Sequence, residues 1–425
     1  MYTSLATQDY QSFWLTANQY DIISDHKVDA TLMTAVNYQH KYKSLTIKTG
    51  ASLVANFFSG RYRAVELYGK VKFKHWQIVG GREMKKVGEV DSLLSSGSLA
   101  ISSNALPIPT LGIRTNNYIP FPFVSQSWLK YKFSWLHGWM GQNRVLKGAY
   151  LHEKSLYFKI GEEKLNFYAG FVHFAIWGIN NNQGKVQSEL QDYLRVVVGA
   201  QSGNSGDHMG VWDWGMNYST SQFALTAYTQ SIYERGYVPQ SLAPAKIKGT
   251  RILSRDRLLG MSFRWQKKNS INRMVLEYIN TTYQGGKNAA NGIFNYYNDA
   301  TYLSGWTYQG RIIGTPLFIS SKQLSNFYQK EPSEWSIASN RIKSIHIGVS
   351  GFATEQLTYK TFFTYTKHFG NYHNDAFFSP VKTVLSTLLE VKYQLNNSLS
   401  VMAISALDWR ALSNNQGLMV GLEWH

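Results

Sequence analysis

The sequence predicts an all-β protein, a transmembrane antiparallel β-barrel. Three observations predict it. Apolar residues recur at every second position along many short runs, turn-forming residues separate those runs, and the composition is rich in aromatic and poor in charged residues. Of the 425 residues, 15% are aromatic and 16% are charged, whereas an average soluble domain has roughly 25% charged residues. No stretch of about 18 apolar residues is present, so a membrane-spanning helix is not predicted.

The composition also excludes several classes of protein. The apolar and aromatic content excludes a disordered chain, and the absence of cysteine excludes disulfide scaffolds and cysteine-ligated zinc or iron–sulfur sites. The formal charge is +17, from 43 Lys and Arg against 26 Asp and Glu. These basic residues are spread along strands rather than clustered, so nucleic acid is not a predicted partner. We expect them to form an electropositive lumen that attracts anionic solutes.

The alternation of apolar and polar residues defines the strands. A membrane barrel turns its apolar side chains towards lipid and its polar side chains towards the lumen. The clearest runs are 65–74, 156–160, 261–266, 389–395 and 418–425, and weaker runs lie near 31–38, 45–49, 193–199, 223–230, 273–279, 344–350 and 357–366. In the run 65–74, Val65, Leu67, Val71 and Phe73 fall on one face, and Glu66, Lys70, Lys72 and Lys74 fall on the other.

Aromatic residues at the expected strand ends separate a membrane barrel from a soluble sandwich. Barrels carry such residues in two girdles at the membrane interfaces. With spanning strands of about 9–11 residues, the chain would supply roughly 16–18 strands in a single domain over residues 1–425. The aromatic residues assigned to strand ends are Phe13, Trp14, Tyr20, Tyr62, Tyr68, Trp265, Tyr365 and Trp424.

Two regions interrupt the pattern and are predicted to be long ordered loops. Residues 88–127 contain Pro107, Pro109, Pro120 and Pro122, which cannot donate the hydrogen bonds of a strand ladder. Residues 284–342 are apolar and aromatic, with a possible short helix near 322–329. Loops of this length in a compact fold are usually functional or disordered. Their apolar content favours ordered plugs, lids or helical insertions.

No enzymatic or metal site is predicted. The turn at 203–207 contains Ser205 but lacks the G-x-S-x-G elbow of a serine hydrolase, so an outer-membrane lipase or deacylase is only a weak alternative. His137, His152 and His173 do not have H-E-x-x-H spacing. In a strand, His152 and Glu153 would point to opposite faces and could not bind one metal together. No cofactor-binding motif is present.

Several longer motifs resemble the Wzi family of capsule-assembly proteins from Gram-negative outer membranes. The segment at 305–318 is similar to the Bacteroidota branch of that family. The resemblance implies an outer-membrane barrel of about 18 strands with a blocked lumen, minor helical elements and a lectin-like role in capsule attachment without catalysis. The similar segments are GGRE (80–83), LLSSGSLAISSNALPIPTLGI (93–113), YIPFPF (118–123), LHGWMGQNRVLKGAYLHEKSLYFKIG (136–161), LNFYAGFVHFAIWG (165–178), DYLRVVVG (192–199), GDHMGVWDWGMNYS (206–219) and GWTYQGRIIGTPLF (305–318).

The resemblance also selects candidate site residues around the lumen. Arg82 and Arg144 could bind acidic sugar groups with two hydrogen bonds each, and Asn104 and His137 could hydrogen-bond hydroxyls. A competing interpretation is a buried polar network that holds the loop 93–123 inside the barrel. One departure from the family is expected, since Phe13–Asn18 reads as the first strand where relatives can carry helices. The full set is Arg82, Asn104, His137, Asn143, Arg144, His152, Glu153, His173 and Trp177.

The predicted function is therefore a non-enzymatic outer-membrane protein that binds and helps to attach or organise capsular or other acidic surface polysaccharide. The alternative is a porin-like channel for anionic or sugar solutes. Outer-membrane lipid, lipopolysaccharide and other envelope proteins are further expected partners. The first twenty residues lack a basic segment followed by an apolar segment, so we expect either a processed or trimmed chain or a cytoplasmic one, and export is inferred from the barrel pattern and the resemblance.

Overall fold

The computed structural model describes most of the chain. The described residues are 1–122, 124, 128–178, 190–199, 206–234, 255–284, 294–328, 330, 335–372 and 376–424. Ser205, considered above for an enzymatic site, lies outside them. None of the described helices is long and apolar enough to span a membrane.

Over the residues given above, the secondary structure is almost entirely β, with three short helices and one 3₁₀ turn. The helices are α1 (Phe13–Thr16), α2 (Leu190–Val198) and α3 (Ser321–Tyr328), and the 3₁₀ turn is Ala376–Phe378. The strands are β1 (Tyr2–Tyr10), β2 (His26–Tyr42), β3 (Leu45–Asn56), β4 (Arg61–Phe73), β5 (Trp76–Arg82), β6 (Thr110–Thr115), β7 (Ile119–Pro120), β8 (Leu129–Trp139), β9 (Tyr150–Gly161), β10 (Leu165–Trp177), β11 (Asp207–Ser219), β12 (Phe223–Glu234), β13 (Arg257–Trp265), β14 (Arg273–Asn280), β15 (Thr307–Tyr308), β16 (Arg311–Ile312), β17 (Ile319–Ser320), β18 (Ile337–Ser339), β19 (Ile342–Phe352), β20 (Leu357–His368), β21 (Lys382–Gln394), β22 (Leu399–Trp409) and β23 (Asn415–Trp424).

Within the described residues, 18 of these strands form one closed antiparallel barrel. They are β1–β6, β8–β14 and β19–β23, and each pairs with its neighbours in the chain order. Closure is made by the first and last strands, which pair antiparallel from Tyr2 opposite Gly421 to Ala6 opposite Gly417. The sheet therefore has no free edge, as spanning a membrane requires. The predicted antiparallel barrel of about 18 strands is confirmed.

The two ends of the barrel differ in the length of their connections. At one end, adjacent strands are joined by short turns such as 43–44, 74–75 and 162–164. At the other end the connections include 83–109 and 281–341. We call these the short-turn end and the long-loop end. In outer-membrane barrels the short turns face the periplasm and the long loops face outwards.

The predicted alternation of faces is largely confirmed. In β14, Leu276 is exposed on the outer wall, whereas its neighbours Val275 and Glu277 are buried inside. Val65 is an exception, because it is buried rather than on the apolar outer face with Leu67. The β3–β4 register shifts between Ser52 and Leu53. The resulting bulge inserts one extra residue and reverses the faces beyond it.

Three sequence-based assignments are wrong. Phe13–Asn18 is not the first strand, because Phe13–Thr16 forms α1 inside the barrel, where Trp14 is buried and donates its indole N–H to Thr364 Oγ1 at 3.1 Å. The run 193–199 belongs to helix α2. The loop 88–127 is not continuous, since residues 110–115 form barrel strand β6, with the prolines on either side of it. In each case, packing against other parts of the chain outweighs the local residue pattern in setting the conformation of the segment.

The aromatic girdle is confirmed only in part. Tyr62, Trp265 and Trp424 are exposed on the outer wall near strand ends. Tyr68 is buried on the inward face of β4, and Trp14 lies in the interior. Period and composition alone do not distinguish an aromatic residue of the interface from one that fills the lumen, because both lie on strands or beside their ends.

The assignment of the outer face to lipid predicts a depth-dependent cost of charge. Leu276→Arg, in the middle of β14, is expected to lower the free energy of unfolding by about 2–4 kcal/mol. The control is Leu422→Arg near the short-turn end of β23, also outward-facing, which should cost only about 0–1 kcal/mol. Urea titration in lipid vesicles measures both. Equal costs at the two positions would contradict the lipid-facing assignment of β14.

Candidate functional site

Two segments of the long connections fill the lumen. We call residues 83–109 the plug segment and residues 294–320 the inner segment. Leu99 and Ile108 of the plug segment and Trp306 and Phe318 of the inner segment share one apolar cluster with inward-facing wall residues. These wall residues come from separate parts of the barrel and include Val54, Val172 and Ile279. The predicted occlusion of the lumen by loops is thus confirmed.

Polar groups of the wall hold the plug segment by its backbone and its serines. The Glu277 carboxylate accepts hydrogen bonds from Ser95 Oγ at 2.7 Å, Tyr228 OH at 2.6 Å and the Ser96 backbone N–H at 2.8 Å. Ser96 Oγ donates to the same carboxylate. Since Glu277 and Ser96 are both buried, these bonds replace water that the carboxylate has lost.

A second anchor lies on β11 and β12. Asp213 Oδ2 accepts the Glu89 backbone N–H at 2.7 Å, and Gln230 Nε2 donates to the same oxygen at 3.1 Å. Gln230 Oε1 in turn accepts the Leu99 backbone N–H at 2.9 Å. The two side chains therefore connect the wall to two points of the plug segment, ten residues apart in sequence.

Ion pairs add further ties at the plug segment's first half. Its acidic residues meet basic wall residues, and its Lys85 meets an acidic one. The positive charge of the lumen wall, which the sequence predicted, is therefore partly neutralised by the plug segment. The pairs are Glu83 with Lys70 and Arg114, Lys85 with Glu153, Glu89 with Lys132, and Asp91 with Arg273.

The inner segment is held against the plug segment by hydrogen bonds to backbone oxygens. Trp306 Nε1 donates to Ala100 O at 3.0 Å, and Tyr297 OH donates to Leu99 O at 2.6 Å. Ser102 Oγ donates to Gly314 O at 2.6 Å. Because the plug segment is bonded to the wall and the inner segment to the plug segment, the three parts form one connected assembly.

An ionic cluster near the long-loop end joins three parts of the chain. Asp21, between β1 and β2, accepts hydrogen bonds from Arg61, Arg63 and Arg311, and Arg311 also pairs with Asp25 at 2.6 Å. Burial alone would raise the pKa of Asp21, but the nearby guanidinium groups outweigh it and hold that pKa below its usual value. The ionised carboxylate therefore links the inner segment to strand β4.

Five of the predicted site residues contact these interior segments. Arg144 donates to Thr307 O at 2.7 Å and to Gly305 O at 3.1 Å. Arg82 donates to Tyr308 OH at 3.0 Å, and Asn104 Nδ2 donates to Ile312 O at 2.9 Å. The remaining two contacts are Glu153 with Lys85 of the plug segment and Asn143 with Gln309 of the inner segment.

The other four predicted residues lie on the outside of the barrel. His137, His152, His173 and Trp177 occupy outward positions of β8, β9 and β10, the same faces as exposed Leu156 and Phe167. Their expected place around the lumen is therefore wrong. The prediction that His152 and Glu153 point to opposite faces is confirmed, because Glu153 binds Lys85 inside and His152 contacts Trp135 outside.

Helix α2 covers these four residues on the outer wall. Tyr193 lies edge-on to His137 and His152 and within 5.3 Å of Trp177, measured between ring centroids. Lys154 donates to Val197 O at the end of the helix. Among the described residues, no group of three or more histidines and acidic residues is arranged to hold a metal ion.

The strongest anchors were not among the predicted site residues. Asp21, Asp213, Gln230 and Glu277 are all buried. Of these, only Asp213 lies within a segment that resembles the family, and it was not selected there. For the three strand residues, the signal was present as a polar residue at an inward position of the alternation. That pattern identifies the face but not which loop atoms will meet it.

Comparison with known proteins identifies the family. A family model described as capsule assembly protein Wzi matches residues 15–325, well over half of the 425 residues. The chain belongs to the Wzi family. Membership of this family, together with the barrel, places the protein in the outer membrane. No protein in a curated set matches the sequence significantly.

Solved structures agree with the fold of this Wzi-family chain. One is Wzi of Escherichia coli, an outer-membrane protein involved in group 1 capsule assembly and described as a carbohydrate-binding β-barrel. It has a TM-score of 0.64 and 13% identity over 99% of this chain and 83% of that one. Pseudomonas aeruginosa OccK2 (OpdF), solved with glucuronate, has a TM-score of 0.53 and 10% identity over 100% of this chain and 94% of that one. At these identities the likeness shows the fold alone.

The Glu277 anchor predicts that a single substitution loosens the plug segment. Glu277→Gln replaces one acceptor oxygen with an N–H₂ group that faces donors, so buried hydrogen bonds are lost. We expect open-channel events in planar bilayers to become at least about tenfold more frequent, which corresponds to about 1.4 kcal/mol. The control is Glu423→Gln, whose carboxylate pairs with Tyr2 and Lys392 of the wall. Unchanged current in Glu277→Gln would show that this anchor does not hold the plug.

The Asp21 cluster predicts a loss of interior packing in acid. Because the arginines hold the pKa of Asp21 in the fold below the value of about 3.9 that an unfolded aspartate has, its stabilisation is fully present above that value. It is lost as the pH falls below it and Asp21 becomes protonated. Near-UV circular dichroism should change below about pH 4 while the far-UV barrel signal persists. Asp21→Asn should resemble the acid form at pH 7, and Asp9→Asn, at an exposed pair with Lys27, should not.

Proposed function

We propose that this Wzi-family protein binds capsular or other acidic polysaccharide at the cell surface and helps to attach or organise it there, without catalysis. The observation that carries the proposal is the combination of family membership with a lumen filled by bonded segments. A filled barrel provides a fixed surface at its long-loop end rather than a path through the membrane. The carbohydrate-binding barrel from Escherichia coli shares this fold and supports the proposal.

The five inward site residues would act in this function by positioning the surface. The guanidinium groups of Arg82 and Arg144 donate hydrogen bonds to residues 305–308. They are therefore not placed to bind acidic sugars directly. Asn143 is exposed and holds Gln309, also near the surface. We therefore propose Asn143 as a polymer contact, and Arg82, Asn104, Arg144 and Glu153 as residues that hold the segments beneath it.

The position of helix α2 on the outer wall, and its exposed apolar residues, favour contact with lipid. Tyr193 and Val196 face the barrel, whereas Leu190, Leu194 and Val198 are exposed along one side of the helix. An apolar stripe beside the barrel near its long-loop end suits the outer leaflet of the membrane. We propose that α2 lies there, in contact with lipid or lipopolysaccharide, and shields the aromatic residues and histidines beneath it.

The function predicts a change in where polysaccharide is found. Deletion of the protein is expected to leave polymer synthesis intact and move polymer from the cell to the medium, measured as the ratio of cell-bound to shed polysaccharide. Complementation with Arg82→Gln/Arg144→Gln should restore retention only in part, because the support of residues 305–308 is weakened. Heat-resistant migration on gels checks that the barrel still folds. Unchanged retention after deletion would overturn the proposed function, and large ionic conductance by the wild-type protein would favour the porin-like alternative.

A further inference from the structure

A cavity lies inside the long-loop end, between α1, α3 and the wall strands β20–β22. It has about 60 Å³ of space that the centre of a water-sized sphere can reach, and about 630 Å³ when all the open solvent at its mouth is counted. Tyr10 and Ser413 line it next to the loops of this end, and Thr364 and Asp408 line it from the wall. None of these residues was selected from the sequence. The cavity also lies apart from the anchors of the plug segment.

Gln11 and Asp408 bring buried acceptor oxygens to this cavity, beside hydroxyl and amide groups that can also donate. Gln11 is 3% exposed, its Nε2 donates to His26 O at 2.7 Å and to Lys27 O at 2.9 Å, and its Oε1 has no donor among the described residues. A buried acceptor without a donor is rare, because losing water without replacement costs free energy. A ligand hydroxyl in the cavity would supply the missing hydrogen bond.

Asp408 adds further acceptor capacity. Its Oδ2 accepts the Phe13 backbone N–H at 2.8 Å, and its Oδ1 accepts Ser386 Oγ–H at 2.6 Å. A carboxylate offers about four lone-pair positions, so each oxygen can accept one more donor. Among the residues that the structure describes, no lysine or arginine lines the cavity. An acidic group of a ligand would therefore meet like charge here, whereas hydroxyl groups would find acceptors.

Aromatic rings complete the lining. Tyr10 and Phe327 stack with their centroids 4.6 Å apart, and both are only partly buried, which places them at the mouth. Phe13 and Phe318 also line the cavity. Aromatic faces beside hydrogen-bonding groups suit the C–H faces and hydroxyl edges of a sugar ring.

Basic residues lie outside the cavity at the same end. Lys330 and Lys382 both place their ammonium groups over the Phe377 ring, at 5.7 and 5.4 Å from its centroid. Phe377 packs against the apolar cluster that contains Ile319, a residue of the cavity wall. Arg410, between β22 and β23, is exposed but lies over the outward-facing rings of Tyr365 and Trp409, 5.5 and 5.9 Å from their centroids, and so belongs to the outer wall. The acceptors thus lie inside, and the two lysines lie on the rim.

We infer that this cavity is a saccharide subsite that takes one uncharged sugar unit of an acidic polymer, while Lys330 and Lys382 on the rim hold acidic groups of neighbouring units. The inference rests on the polysaccharide-binding function proposed above and adds to it a place and a selectivity. A free uronate should bind the cavity less well than a neutral hexose, in spite of the chain's formal charge of +17.

The test uses the full-length protein in detergent and isothermal titration with four monosaccharides. These are the methyl α-glycosides of glucose, mannose and N-acetylglucosamine, with glucuronate as the acidic comparison. At least one neutral glycoside should bind more tightly than glucuronate. Phe327→Ala and Asp408→Asn should each weaken its binding about tenfold, equivalent to about 1.4 kcal/mol.

Matched controls separate the cavity from the rest of the long-loop end. Phe58→Ala removes another exposed aromatic ring, and Asp256→Asn changes another buried carboxylate, one that accepts Tyr296 OH. Both variants should bind the neutral glycoside as the wild type does. The rim variant Lys330→Gln/Lys382→Gln should bind the glycoside normally and purified surface polysaccharide about tenfold more weakly. All variants must keep heat-resistant migration on gels.

The outcomes distinguish the two levels of the proposal. If the wild type binds the polymer but no neutral glycoside, or if the Phe327 and Asp408 variants bind the glycoside normally, the cavity inference is overturned and the proposed function stands. Tighter binding of glucuronate than of every neutral glycoside also overturns it. If the wild type binds no purified surface polysaccharide, the proposed function itself fails.

Discussion

Closure of the sheet by β1 and β23 is the constraint on which the rest of this structure depends. A membrane offers no water to unpaired backbone groups, so the wall must pair its first strand with its last. Eighteen strands closed in this way enclose a space far too wide for wall side chains alone to fill. The chain fills it with its own long connections, and these bring their own backbone polar groups into the interior.

Those buried polar groups explain why several inward residues of the wall are polar and accept hydrogen bonds. Glu277, Asp213 and Gln230 each accept backbone or hydroxyl donors of the plug segment, and the inner segment is then bonded to the plug segment. Hydrogen bonds at several separate points of the wall favour one arrangement of the segments. The bonded segments therefore hold the surface at the long-loop end in place from below. A surface held in this way suits recognition of an extended polymer better than passage of solutes.

The candidate site shows which positions of functional residues can be predicted from residue patterns and which cannot. Arg82, Asn104, Asn143, Arg144 and Glu153 were selected from the motifs, and the structure brings them to the interior segments. His137, His152, His173 and Trp177 come from the same motifs but lie on the outer wall beneath α2. Alternation along β9 already separates His152 from Glu153. Which of the two faces the lumen depends on where the apolar residues of neighbouring strands meet lipid, and the polar and aromatic stretch near the long-loop end obscures that signal.

The sequence by itself determined the barrel, its strand number to within a few, the family and most inward and outward positions, because alternation is a local property of the chain. Only the tertiary structure decided the rest. It turned Phe13–Thr16 into an interior helix, placed β6 between two pairs of prolines, and put a bulge at Val65. It also brought Asp21 to three arginines and Gln11 to Asp408 across a cavity. The physical reason is that such contacts join residues that are tens to hundreds of positions apart, and their partners are fixed only when the sheet closes and its interior is filled.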